Sequence, residues 1–158
     1  MFGIAYNDGS LICCVYDNGL IRIDLKDNSI TPVVRCSLLA WSHVTTHGNN
    51  IYYTNDTTHT VTSCDMNGKV QWEFCDKNVL ESPLGITTDN NNNVYVVGQV
   101  SNSVVVISPD GQSHKVLLSD RDGLNFPWTI HCDRASNQLL LAQIGGSGLL
   151  YEISTTPT

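Results

Sequence analysis

Four short apolar runs, each preceded by a polar turn, begin at Leu11 (LICCVY), Ile51 (IYYTN), Val94 (VYVVGQ) and Leu139 (LLLAQ), at intervals of 40, 43 and 45 residues. A second apolar run starts at the same offset from each, at Leu20-Ile21, Val61, Val104 and Leu149. Turn pairs follow at Asp27-Asn28, Asn67-Gly68 and Asp110-Gly111, and the fourth would fall at Thr155-Thr156. Each unit also has a run before its anchor (GIAY, HVTT, GITTD, TIHCD), and the first three have one after the turn pair (ITPVV, VQWEF, HKVLL). Segments of this length, rich in Val, Ile, Thr and Tyr and bounded by Gly, Asn, Asp and Pro, predict strands. We denote the strands of each unit a, b, c and d. The Asn-Gly and Asp-Gly pairs predict type I′ turns closing c-d hairpins. No segment predicts a helix.

Units of 40 to 45 residues with four strands each predict β-propeller blades. A single blade cannot bury its own faces, so the core must lie between stacked neighbours. Alternation at Val70, Trp72 and Phe74, with Gln71 and Glu73 between them, fits an outer strand with one face against a neighbour. The expectation is an all-β fold of about four blades, spanning 2–36, 41–75, 82–118 and 125–154. Three are complete and the last lacks its outer strand, which implies an open or incomplete ring with exposed blade edges capable of self-association.

The stretch SPLGITTDNNNNVYVVGQVSNSVVVISPDG (82–111) resembles an NHL repeat in its Pro-x-Gly-Ile opening, Asn-rich turn, V-Y-V strand and D-G turn. NFPWTIHCDRASNQLLLAQ (125–143) repeats the first half, with Trp128-Thr129 in place of the usual residue and Gly after proline. GNNIYYTN, GKVQWEF, PLGITTD and NNVYVVG, in this order, are similar to the C-terminal NHL propellers of invertebrate tripartite-motif (RING, B-box, coiled-coil) proteins. The resemblance covers most of 41–142. It implies a non-catalytic scaffold that binds a protein partner or ubiquitination substrate, with any ligase activity belonging to a RING domain whose zinc-binding spacings this sequence lacks.

Fifteen acidic against eight basic residues give a net charge of -7, and the basic residues are dispersed singly. RNA is therefore disfavoured, because phosphate binding draws on clustered Lys and Arg. Arg121 is the only basic residue in the b-c loops and the d-a connection before Trp128, with Arg35 and Lys77 flanking the other two connections. No apolar stretch is long enough to span a membrane as a helix. Cys13, Cys14, Cys36, Cys64, Cys75 and Cys132 contain no C-x-x-C pair, which points to free thiols in a reducing compartment and a cytoplasmic protein. That pattern also weighs against a secreted YWTD-type propeller, which IYYTN would otherwise suggest.

Meandering sheets place the a-b and c-d turns on one side of the disc and the b-c and d-a connections on the other. The second side carries loops at 16–19, 55–59, 98–103 and 143–148 and connections at 36–42, 76–83 and 119–128. Longer irregular loops on a rigid scaffold favour binding, so the candidate partner-binding residues are Trp41, Asn55, Asp56, Gln99, Ser101, Phe126, Trp128 and Gln143. Trp41 and Trp128 could anchor a partner or cover the end of an inter-blade core.

No cofactor and no metal site is expected. His43 and His47 share a face of strand a but stand about 13 Å apart by strand rise, too far for one ion. His131, Cys132 and Asp133 are consecutive on a strand and cannot converge, which makes Cys132 a small core residue. The glycines of IGGSG (144–148) precede no helix that could present amides to phosphate. A lactonase-like propeller would hold a divalent cation in its channel. The inner strands offer Asn7, Thr45, Thr87, Asp89 and Asp133 for this, but the aspartates lie beside turns and no Glu precedes a channel strand.

Overall fold

The computed structural model describes residues 3–146 and 148–153. Among the described residues fifteen strands form four antiparallel sheets, each a simple meander. Blade 1 contains β1 (Ile4–Asn7), β2 (Ser10–Val15), β3 (Gly19–Asp24) and β4 (Ile30–Val34). Blade 2 contains β5 (Val44–His47), β6 (Asn50–Asn55), β7 (Thr60–Asp65) and β8 (Val70–Phe74). Blade 3 follows with β9 (Pro83–Thr88), β10 (Val94–Gly98), β11 (Ser103–Ile107) and β12 (His114–Leu118). Blade 4 has β13 (Pro127–Asp133), β14 (Gln138–Gln143) and β15 (Gly148–Glu152). The expected turn at Thr155-Thr156 and any outer strand of blade 4 lie outside the described residues. The one helical element among the described residues is a 3-10 turn at Asp120–Asp122.

The sheets stack as propeller blades, with β1, β5, β9 and β13 innermost. Three apolar cores join them, and each lies between consecutive blades. Ile12, Cys14 and Leu20 of blade 1 meet Val44, Ile51, Tyr53 and Cys64 of blade 2. Tyr52, Val61 and Phe74 meet Ile86, Val94, Val96, Val105 and Ile107. Tyr95, Val97 and Val104 meet Ile130, Cys132, Leu139 and Leu141. Among the described residues no such core joins blade 4 to blade 1. The expected alternation on β8 holds for Phe74, which is buried, and Trp72, which is partly buried against the second core, but not for Val70, which is exposed where the pairing with β7 shifts register. Cys132 is buried in the third core, while His131 and Asp133 on either side of it are exposed, as strand alternation requires.

The c-d hairpins form at the expected pairs, but their turn type differs from the expectation. At Asp65–Gly68 the Gly68 N–H donates to the Asp65 carbonyl at 2.9 Å, and positive φ is confined to Gly68 (82°) rather than shared with Asn67. The same holds at Ser108–Gly111, where Gly111 takes φ 71° behind Pro109 and Asp110. A type I′ turn needs two positive φ values in a two-residue loop, whereas these longer loops use one left-handed residue after an ordinary turn. The type I′ pattern occurs instead in the a-b turn of blade 1, where Asp8 (φ 40°) and Gly9 (φ 76°) connect the paired Asn7 and Ser10.

These turns also lock neighbouring blades together. A Cβ on Gly68 would collide with the Val33 carbonyl oxygen on the outer strand of blade 1. A Cβ on Gly111 would fall 2.6 Å from the Trp72 ring on the outer strand of blade 2, and Trp72 Nε1 donates to the Pro109 carbonyl at 2.9 Å. The left-handed residue of the c-d turn is thus glycine where the turn rests on a preceding blade. In blade 1, whose turn rests on no other blade among the described residues, the same position is Asn28 (φ 58°).

Candidate functional site

The inner strands surround a cavity of about 550 Å3, whose wall includes Tyr6, His43, Thr45, Thr87, His131 and Arg134. Arg134, in the a-b turn of blade 4, spans its rim. Its Nε donates to the Thr88 carbonyl at 3.0 Å, and its terminal nitrogen donates to Thr88 Oγ1 and, at 3.3 Å, to the Thr46 carbonyl. One guanidinium therefore ties blade 4 to blades 3 and 2. Burial, then the Arg134 charge, lowers the pKa of nearby His47, and burial lowers that of His43, so both imidazoles favour the neutral form.

The carboxylates considered for a cation are committed elsewhere. Asp89 is buried and accepts from Asn91 N, Asn93 N, Asn93 Nδ2 and Tyr95 Oη at 2.8–3.1 Å. Asp133 accepts from Ala135 N at 3.0 Å and Ser136 Oγ at 2.7 Å, and these bonds hold its carboxyl below the usual range. Among the described residues no three His, Cys, Asp or Glu side chains gather at metal-binding distance. All six cysteines are unpaired.

On the b-c and d-a side, Trp41 and Trp128 meet edge to face, with ring centroids 5.0 Å apart and planes at 81°. Trp41 comes from the connection into blade 2 and Trp128 from the first strand of blade 4, so the pair crosses the end of the channel beside blade 3. Trp128 also packs against the third core, while Trp41 is exposed. The core-covering reading thus applies to Trp128. Phe126 is exposed with φ 48°, its N–H donating to Asn102 Oδ1 at 2.7 Å. Its carbonyl accepts from Ile144 N at 3.1 Å.

The polar candidates mainly build the loops. Asn55 is buried; its Oδ1 accepts from Thr57 N and Thr58 N, and its Nδ2 donates to the Ser37 carbonyl at 3.3 Å. Ser101 Oγ accepts from Glu81 N at 3.0 Å and shares a hydrogen bond with Ser103 Oγ. Gln99 N donates to the Ser82 carbonyl, and Gln143 Oε1 accepts from Asn125 N. Asp56 is half-buried, and its Oδ1 is enclosed without a hydrogen-bond donor among the described residues. Tyr16, Val100 and Ile144, which the sequence reading did not select, are exposed in the b-c loops of this same side. Their signal was an apolar residue inside a polar loop.

No family profile and no curated protein matches the sequence. Solved structures do. A chain of the Nidogen/Laminin complex superposes with TM-score 0.78 at 20% identity, covering 96% of this chain and 64% of that one. Virginiamycin B lyase from Staphylococcus aureus gives TM-score 0.69 at 18% identity, covering 98% and 56%. The computationally designed Ika4 protein gives 0.70 at 9% identity, covering 98% and 92%. The chain thus spans about half to two thirds of the two natural structures, and these likenesses establish the β-propeller fold. No helix among the described residues is long and apolar enough to cross a membrane.

Proposed function

We propose that this chain is a non-catalytic, protein-binding propeller that holds its partner on the b-c and d-a side. The observation carrying the reading is the asymmetry between the two sides. Tyr16, Trp41, Val100, Phe126 and Ile144 are exposed in the loops of one, whereas the a-b and c-d turns of the other, built mainly from Asn, Asp, Gly and Ser, expose one large apolar side chain among the described residues, Leu25. Large apolar side chains in loops on a rigid frame are what interface anchors require. That a chain of the Nidogen/Laminin complex shares the fold accords with this reading. The commitment of Asp89 and Asp133 to turn hydrogen bonds favours a scaffold over cation-dependent hydrolysis.

The motif resemblance supports reading the propeller as the partner- or substrate-recognition part of a tripartite-motif chain acting in the cytoplasm. Flanking coding sequence carrying RING, B-box and coiled-coil segments would support that placement, and its absence would refute it. The binding reading is tested by selecting peptides on the purified chain from a random library and measuring their affinity for variants. Trp41→Ala and Phe126→Ala are expected to weaken binding about tenfold each, the loss of an anchor residue, while Asp8→Ala on the opposite side leaves it unchanged. Peptides indifferent to both aromatic substitutions would contradict the assignment.

A further inference from the structure

Strand register makes positions in the four blades equivalent. Ile4 pairs with Cys13 as Val44 does with Tyr53, Ile86 with Val96 and Ile130 with Leu141. In blades 2 to 4 these residues form the face that packs on the preceding blade, and Val44, Ile86 and Ile130 are 6%, 6% and 5% exposed. Ile4 is 63% exposed. Its face continues through the half-buried Leu11, Ile21 and Ile23 around Cys13, which is 8% exposed, an apolar sheet surface that belongs to none of the three inter-blade cores among the described residues.

The opposite end has the complementary face. Leu140, paired with His131 and Leu150, is equivalent to Ile12, Tyr52 and Tyr95, which point toward the next blade and are 0%, 0% and 4% exposed. Leu140 and Leu150 are 52% and 61% exposed. One molecule therefore carries both halves of an interface that it already makes three times internally.

Two details select the occupant. Where a four-stranded blade precedes, its outer strand presses on the glycine of the next c-d turn, and Asn28 offers no room for that contact. None of the three strands that blade 4 has among the described residues is an outer strand reaching this point. At the inner strands, Gly3 and Gly85 lie so close to the backbones of His43 and Thr129 that a Cβ on either would fall 2.6 Å from the neighbouring Cα. The residues at this position thus alternate Gly, His, Gly, Thr, and docking blade 4 on blade 1 would set Thr129 beside Gly3 and continue the alternation.

We propose that the chain associates head to tail with a second copy of itself, blade 4 of one copy stacking on blade 1 of the other. This holds independently of what the loop side binds. Such a contact is heterologous, so copies close into a ring where the rotation permits and otherwise leave one face free at either end, and association in both cases rises with concentration.

Sedimentation velocity on the full chain between about 1 and 100 µM, the range of a standard micromolar contact, tests it. Wild type should shift from monomer to dimer and larger species. Ile4→Glu and Leu150→Glu, both at exposed positions and checked for fold by circular dichroism, should each remain monomeric over that range. Mixed together they should form a one-to-one dimer and nothing larger, because each retains the face the other has lost. A wild type that stays monomeric, leaving these faces to other blades, would overturn the proposal. So would single variants that associate like wild type, or a mixture that remains monomeric.

Discussion

Individual side chains in this protein are used mostly to satisfy the backbone of a tightly turning chain. Asp89 alone serves four donors. Burial raises the pKa of several groups, chiefly thiols. Cys14 and Cys64 are pushed up from about 9 to about 12, and Tyr53 from about 10 to about 12, in each case first by desolvation. The unfolded chain releases these protons earlier than the folded one. Their contribution is therefore fully present below pH 9 and declines as pH rises toward 12. The urea midpoint should accordingly fall between pH 9 and 10.5, and less steeply in Cys64→Val; a flat midpoint would contradict the thiols' burial. At this scale the sequence was legible for Cys132, whose strand neighbours required it to point inward. It was not legible for Asn55 or Arg134, whose partners Ser37, Thr46 and Thr88 are brought near only by folding.

At the level of elements, the turns do two things at once. Gly68 supplies a left-handed residue and also clears space for the outer strand of blade 1, whereas Asn28 has only the first task. Placing Ala at a left-handed position costs about 1 kcal/mol, which is the loss expected for Asn28→Ala. Gly68→Ala adds a backbone collision between blades and should cost about 3 kcal/mol in all. Chemical denaturation of the two variants distinguishes them; equal losses would mean that the turn bears no inter-blade load. The same elements show why period and strand order could be read from sequence while turn type could not. The recurrence of Asn-Gly and Asp-Gly marks a reversal, but the residues left unpaired by the closing ladder determine the loop length. That depends on Asp65 and Ser108 ending their strands in hydrogen bonds to Lys69 and Ser113.

On the scale of the whole molecule, a net charge of -7 without a basic patch gives little counterion release. Single-stranded RNA should accordingly show no gel shift at about 1 µM protein, a concentration at which a dedicated RNA-binding face would register; a salt-sensitive shift there would assign the loop side a different ligand. Mechanically, three inter-blade cores make blades 2 and 3 the centre of the arrangement, since each is covered on both faces by cores and paired through four strands, while blades 1 and 4 are each covered on one. Amide hydrogen exchange followed by mass spectrometry, on the chain kept dilute enough to be monomeric, measures this directly. Protection should be greatest in β6, β7, β10 and β11, lower in the edge strands β1 and β13, and lowest in β15, an edge strand that is also largely exposed. Protection of β1 and β15 equal to that of β10 would contradict the open stack and mean that blade 4 closes onto blade 1 within a single molecule.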